Sequence, residues 1–341
     1  MSSNQKRIRD FGLIPGLLPA GPKNLISDVA GVTVGHYTLH KNPDIHTGVT
    51  VIDPGTPNLF RNKLPAAIAV GNGYGKLAGY TQVEELGTLE TPIALTNTLA
   101  VGPVMRGLVD LTIKNTPDLA PYETINAVVG ETNDGLVNNI HQLNISSEDV
   151  FAAYNARTAD FDLGSVGAGT GTRAFSWKGG IGSASRTVGE YTVGVLMQTN
   201  FGGALTIMGV PVGVVLGSTD FDTFRHKPDG SCMIVVATDA PLDSSQLKRL
   251  AKRALLGMVR SGSIMADGSG DYAIAFTTNR DFSQSERVTG NDLNPFFLAA
   301  AEAAEESVYD ALLTATSTSG QGNTLQKLPV EKAIQLIKNR P

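Results

Sequence analysis

The chain reads as a mixed α/β fold, on three observations. Short apolar runs bounded by Gly, Asn, Asp or Thr have the length and edges of buried strands, at 66–70, 93–95, 127–129, 191–197, 212–216, 233–237 and 272–276. Stretches with helical periodicity lie between and after them. Glycine is abundant, 38 of 341 residues with no collagen-like period. It clusters at the ends of the apolar runs, where turns and close backbone approaches require it.

The clearest helix starts from a cap at Asp243 or Ser244. It sets Leu247, Leu250, Ala251, Ala254, Leu255, Met258 and Val259 on one face, with Lys248, Arg249, Lys252 and Arg253 opposite. On an acidic protein that basic face reads as solvated rather than as a nucleic-acid stripe. A second helix follows Asn294, with Pro295 in its first turn and Phe297, Ala300, Ala301, Ala304 and Val308 turned inward. A short last helix is expected over 330–337. Residues 222–230 (DTFRHKPDG) are polar and carry Pro228 and Gly230, which predicts an exposed loop between two strands. No repeat or composition shift divides the rest, so one domain over 1–341 is expected.

Composition narrows the function. Hydrophobic residues make up 41% and charged residues 17%, as in a globular protein. A formal net charge of −5 without a basic run argues against nucleic acid or an anionic membrane as partner. No apolar run is long enough to span a bilayer, and the first residues lack a secretory apolar core. Cys232 is the single cysteine, which excludes an internal disulfide and suits a reducing compartment. A soluble cytoplasmic protein is expected.

Familiar motifs fail. The run from Gly167 to Gly171 (GAGTG) places Thr172 where a dinucleotide fingerprint needs its last glycine, and residues 173–185 read as a turn or hairpin, not a helix. No serine sits in G-x-S-x-G. His36 and His40 fall on a segment that alternates like a strand, so they do not share a helical face as metal ligands would, and a solvated strand end is the favoured reading. His141 and His226 have no sequence partner. No metal or cofactor is expected, and a Ser-His-Asp triad lacks its histidine.

One constellation remains. In the stretch DGSCMIVV, Ser231 sits where the polar loop enters an apolar strand, after Gly230, whose missing Cβ opens its carbonyl to a hydroxyl. Attack by the Ser231 hydroxyl on that carbonyl would shift the acyl group from nitrogen to oxygen. Hydrolysis would then free a serine whose α-amine, with a reference pKa of about 7.7–8.0, can act as general base without a histidine. Taken alone, Asp-Gly-Ser is usually just a turn.

The wider sequence resembles the DmpA-like family of L-aminopeptidase/D-amidase-esterases and β-peptidyl aminopeptidases along nearly its whole length. The matches run in order through RDFGL from Arg9, ISDVAGVTVGH to His36, TGVT from Thr47, TNTLAVG from Thr96, VGETNDG from Val129, GSVGAGTG from Gly164 and QTNFG from Gln198. They end with Gly230-Ser231 through VATDAPL to Leu242, and GSGD from Gly268. The resemblance implies a four-layer α-β-β-α sandwich with mostly antiparallel sheets. It implies self-cleavage between Gly230 and Ser231 into fragments 1–230 and 231–341, held together in a homotetramer of such pairs.

It also implies roles. Ser231 matches the nucleophile, Ser269 and Asp271 a hydroxyl and carboxylate that handle protons beside it, and Asn200 an oxyanion-hole amide. Glu131 matches the carboxylate that receives the substrate's ammonium, making short peptides and amino-acid amides or esters with a free N-terminus the expected substrates. Asn133 stands at a substrate-binding position where some relatives carry an aromatic, and Asp271 is one methylene shorter than the Glu some relatives carry. Read without the family, Ser269 and Asp271 could cap a turn, Asn200 could be a left-handed turn residue, and Glu131 could be a first-turn acid of a helix starting near Asp134 and Leu136. Rival functions are an amine acyltransferase of the ornithine acetyltransferase type, which uses threonine, and an uncleaved, non-catalytic relative that binds amino compounds.

Overall fold

The computed structural model describes residues 5–41, 43–218, 230–283 and 286–340. The expected loop at 222–230, with His226, therefore lies outside the described residues except for Gly230. In chain order the principal elements are β1 (Thr33–Lys41), β2 (Ile45–Asp53), β3 (Leu64–Gly73), α1 (Tyr80–Leu86), β4 (Thr88–Leu89), β5 (Ile93–Asn97), α2 (Val101–Asn115), β6 (Val128–Thr132) and α3 (Ser147–Asn155). There follow β7 (Arg173–Ala174), β8 (Trp177–Lys178), β9 (Ile181–Val188), β10 (Tyr191–Asn200), α4 (Val212–Val215), β11 (Gly230–Thr238), α5 (Ser244–Arg260), β12 (Ser269–Thr277), α6 (Asn294–Thr314) and α7 (Val330–Lys338).

The strands form a four-stranded sheet, β1-β2-β5-β6, and a six-stranded sheet, β4-β3-β12-β11-β10-β9. The β5–β6 and β11–β12 pairs are parallel, and the other pairs within these sheets are antiparallel. Strands β11 and β12 read as continuous apolar runs because both faces of their sheet are covered. On β11 the side chains alternate between two cores. Cys232, Ile234 and Val236 join Leu250, Ala254, Ala300 and Ala304 of α5 and α6. Met233, Val235 and Ala237 join Val34, Ile52, Leu95 and Val128 of the smaller sheet. A third core packs Val49, Val51, Ala94 and Val129 of that sheet against Val104 and Leu108 of α2 and Val150 and Ala153 of α3. Three apolar interfaces make four layers, the α-β-β-α sandwich expected.

Helix α5 begins as expected at Asp243, whose carboxylate accepts the Gln246 N–H at 2.9 Å while the Gln246 side chain accepts the Asp243 N–H at 2.9 Å. Helix α6 carries Pro295 in its first turn, but Phe296 is buried and Phe297 only partly, with the Arg253 guanidinium 4.2 Å above its ring. Beyond Ala299 the helix is buried on every side, which its alanines permit. Its acids Glu302, Glu306 and Asp310 meet Arg186, Arg9 and Arg7. Gly182 lets β9 lie against α6, since a Cβ there would stand 1.8 Å from the Ser307 carbonyl oxygen.

Several expectations are corrected. Residues 212–216 form the short helix α4 rather than a strand, because Pro211 ahead of them cannot donate to a ladder and short apolar runs do not distinguish the two. The hairpin expected over 173–185 is confined to β7 and β8, and Ile181 begins a strand whose Ser183, Ser185 and Arg186 are buried. Glu131 does not open a helix; it lies near the end of β6, where parallel pairing sets it opposite Thr96.

Candidate active site

The ends of β10, β11 and β12 converge where the described chain resumes at Gly230. Antiparallel pairing sets Ser231 opposite Asn200, and parallel pairing sets Gly230 opposite Ser269 and Cys232 opposite Asp271. By the alternation along β11, Ser231 points with Met233 toward the smaller sheet. The Ser231 hydroxyl donates to the carbonyl oxygen of Gly230 at 2.5 Å, so it already rests on the peptide it would attack. Ser269 approaches from the other face, its Oγ 3.0 Å from where a Gly230 Cβ would stand. A side chain at 230 would crowd that hydroxyl, which would have to give way by a few tenths of an ångström.

Ser269 Oγ and both Asp271 carboxylate oxygens are buried and find no hydrogen-bond partner of good geometry among the described residues. Burial pushes the Asp271 carboxyl up to about 6, with the neighbouring Ser269 hydroxyl opposing the rise. Burial, and after it the Asp271 charge, push the Cys232 thiol upward as well, which leaves Cys232 protonated and inert. Asn200 is buried, and its Oδ1 accepts the Arg173 N–H at 3.0 Å. That bond assigns the amide orientation and leaves its NH2 as the donor for other partners.

A cleft of about 340 Å³ opens beside Ser231, lined by Gly73, Tyr74, Gly75, Lys76, Glu131 and Asn133 among others. Glu131 is 3% exposed; its Oε1 accepts the Lys76 backbone N–H at 2.9 Å and faces the Lys76 ammonium at 3.2 Å. The Tyr272 hydroxyl donates to the Gly75 carbonyl at 3.1 Å and so props the cleft wall. Asn133 is exposed and spends its Oδ1 on the Gly135 N–H at 2.9 Å. A second cleft of about 350 Å³ shares Asn133 and adds Asn138, His141, Gly171, Arg173 and Asn200.

The expected residues thus divide into groups that meet. Gly230, Ser231, Ser269, Asp271 and Asn200 occupy neighbouring strand ends, and Glu131 and Asn133 line the adjoining cleft. Ser269 and Asp271 lie on a strand rather than in a turn, and Asn200 ends β10 without a left-handed backbone. His36 is not a solvated strand end. Its ring bonds Thr50 Oγ1 at 2.9 Å and the Asp162 carbonyl at 3.1 Å, and burial pushes it down to about 4. His40 is exposed and faces His46, Nδ1 to Nδ1 at 2.8 Å. The residues missed are Lys76 and its neighbours Tyr74 and Gly75. The signal was the glycine-rich end of an apolar run, Gly73-Tyr-Gly-Lys, the setting in which glycines cluster elsewhere in this chain.

The chain is similar to known proteins along nearly its whole length. The family model described as Peptidase family S58 matches residues 24–325. The β-peptidyl aminopeptidase BapA of Sphingosinicella microcystinivorans is 35% identical, over 99% of this chain and 93% of its own. The crystal structure of the PH0078 protein from Pyrococcus horikoshii OT3 superposes with a TM-score of 0.90 at 40% identity, covering 98% of this chain and 99% of that one. The L-aminopeptidase D-Ala-esterase/amidase of Ochrobactrum anthropi, described as a prototype serine aminopeptidase and a variant of the Ntn hydrolase fold, superposes with a TM-score of 0.87. It is 32% identical, covering 97% and 98% of the two chains.

The burial of Asp271 has a consequence for stability. The unfolded chain ionises this carboxyl near 3.8, whereas the folded protein retains the proton to about 6. Unfolding therefore releases a proton in that window, and the folded state loses stability as pH rises through it, by about 3 kcal/mol at about 1.4 kcal/mol per unit. Asp271→Asn removes the ionisation. On a Ser231→Ala background, which keeps the comparison free of chain cleavage, it should unfold at a higher temperature than Asp271 at pH 7.5 and at the same temperature near pH 3.5. A lower melting temperature at pH 7.5 would show that the ionised carboxylate is stabilised by its surroundings.

Proposed function

The chain belongs to peptidase family S58, and from that premise we propose that it is a serine aminopeptidase that cuts itself between Gly230 and Ser231 and then uses Ser231 as its nucleophile. The observation that carries this reading is the Ser231 hydroxyl resting 2.5 Å from the Gly230 carbonyl oxygen, beside a cleft floored by the buried Glu131 carboxylate. In maturation, Ser231 Oγ attacks the Gly230 carbonyl carbon and the C–N bond breaks, leaving an ester and a free α-amine. Water then hydrolyses the ester to a Gly230 carboxylate. Ser269, packed against Gly230, and Asp271 behind it relay protons at this peptide.

In turnover, the Ser231 α-amine takes the hydroxyl proton as Oγ attacks the first amide of the substrate. The Asn200 NH2 donates to the developing oxyanion, and the proton passes to the departing amine. Water releases the acyl group from the serine ester. His36, held neutral at working pH by its burial, takes no part. The substrate ammonium docks on Glu131, with Asn133 at the cleft rim, and the leaving group extends into the second cleft. Substrates are short peptides and amino-acid amides or esters with a free N-terminus; the chemistry needs no metal or cofactor.

Fragments 1–230 and 231–341 stay associated, since β11 and β12 of the second lie between β3 and β10 of the first. Assembly into a homotetramer in the cytoplasm completes the proposal. Serine at 231 favours hydrolysis over the threonine-based acyltransferase, and the hydroxyl at the scissile carbonyl favours it over an uncleaved binder.

Ser231→Ala should give one uncut chain on a denaturing gel and no amide hydrolysis, because one oxygen serves both steps. A Ser231→Ala chain still split at this bond would assign the cut to another group. Glu131→Gln should mature normally, since the scissile bond carries no ammonium. Losing a charge-assisted contact of about 1.5–3 kcal/mol, it should hydrolyse free-amine substrates roughly ten- to a hundredfold less efficiently in kcat/KM. Wild-type kcat/KM in Glu131→Gln would remove Glu131 as the amine anchor.

A further inference from the structure

Glu131 has a cation beside it before any substrate arrives. Its Oε1 accepts the Lys76 backbone N–H at 2.9 Å and stands 3.2 Å from the Lys76 ammonium. The two members of the pair differ in setting. The glutamate side chain is 3% exposed on the end of β6, while the lysine side chain is 52% exposed and rises from the chain just beyond β3. The carboxylate is therefore fixed, and the ammonium reaches it from the solvent side on a flexible stem. A half-exposed ammonium gives up little on returning to water.

A substrate with a free ammonium must approach this same carboxylate through the same cleft, which Lys76 itself lines. Two cations within a few ångströms of one buried carboxylate repel each other, so one must leave. We infer that the Lys76 ammonium is a displaceable counter-ion of Glu131: it holds the place of the substrate ammonium in the free enzyme and swings into solvent when a free-amine substrate binds. This rests on the reading of Glu131 as the amine anchor. Lys76 spares the empty site a buried, unpaired carboxylate. It also sets a threshold that only a cation can meet, so a neutral or acylated N-terminus leaves the pair closed. Lys76 is in this sense a specificity-determining residue.

Substitution of the Lys76 side chain leaves the backbone N–H to Glu131 in place, so it reads the charge and not the position of the carboxylate. Steady-state kinetics with an alanine anilide, and competitive inhibition by propylammonium, test the inference on the mature enzyme. Lys76→Gln should lower KM and the inhibition constant by roughly two- to fivefold, the size of a half-exposed ion pair, with kcat within about twofold of wild type. Lys76→Arg keeps the charge and should show neither decrease. On a Glu131→Gln background, Lys76→Gln should no longer lower the inhibition constant. An unchanged or raised inhibition constant in Lys76→Gln alone overturns the counter-ion. If Glu131→Gln itself binds propylammonium as tightly as wild type, the anchor reading fails instead, and the two failures are told apart.

Discussion

Parallel pairing of β11 with β12 sets Gly230 against Ser269 and Cys232 against Asp271, and the rest of the site hangs on that register. Antiparallel pairing of β11 with β10 adds Asn200 opposite Ser231. A slip of one residue would turn Ser231 toward α5 and α6 and away from the cleft. The slip is opposed by both cores at once, because Ile234 and Val236 are committed to the helices and Met233 and Val235 to the smaller sheet. Packing throughout the sandwich thus fixes the position of one hydroxyl.

That precision is bought with buried polar groups. Asp271 and Ser269 lie inside the protein without well-formed partners among the described residues. Asp134, just beyond β6, is pushed up to about 7 and Lys178 down to about 7, each mainly by burial. Lys178 donates to the Gly169 and Gly179 carbonyls at 2.8 and 2.9 Å, and Asp134 accepts from the Asn138 amide at 2.8 Å. Asp271 and Ser269 pair with the strand that carries Gly230 and Ser231 into the cleft, which fits a site where proton transfer matters.

Much of this was legible in the sequence. The central strands showed as apolar runs because sheets covered on both faces do not alternate, and α5 showed because one face is solvated and its cap is a side-chain pair. The arrangement of layers came from the resemblance, since nothing local in β11 says which strand lies beside it. Helices α2 and α3 gave little signal. Gly102, Pro103 and Gly107 weaken the pattern of α2, and Gly107 is there because a Cβ would meet Val150 at 2.6 Å. Strand β9 was hidden because its buried Ser183, Ser185 and Arg186 are satisfied by distant partners, among them Glu302 and Glu306. Glu131 also admitted a reading as a helix-start acid, since the strand that carries it is defined by pairing with β5. Lys76 was invisible as a partner of Glu131 because the two are joined only by the fold.

The central claim is that one serine becomes both a chain terminus and the nucleophile. Intact-mass spectrometry of the active enzyme after inactivation by a sulfonyl fluoride tests both halves at once. The account predicts a fragment with the mass of residues 231–341 carrying one sulfonyl group on Ser231, and an unmodified fragment ending at Gly230. An active enzyme whose mass is that of a single uncut chain, or a sulfonyl group placed on any other residue, would contradict it.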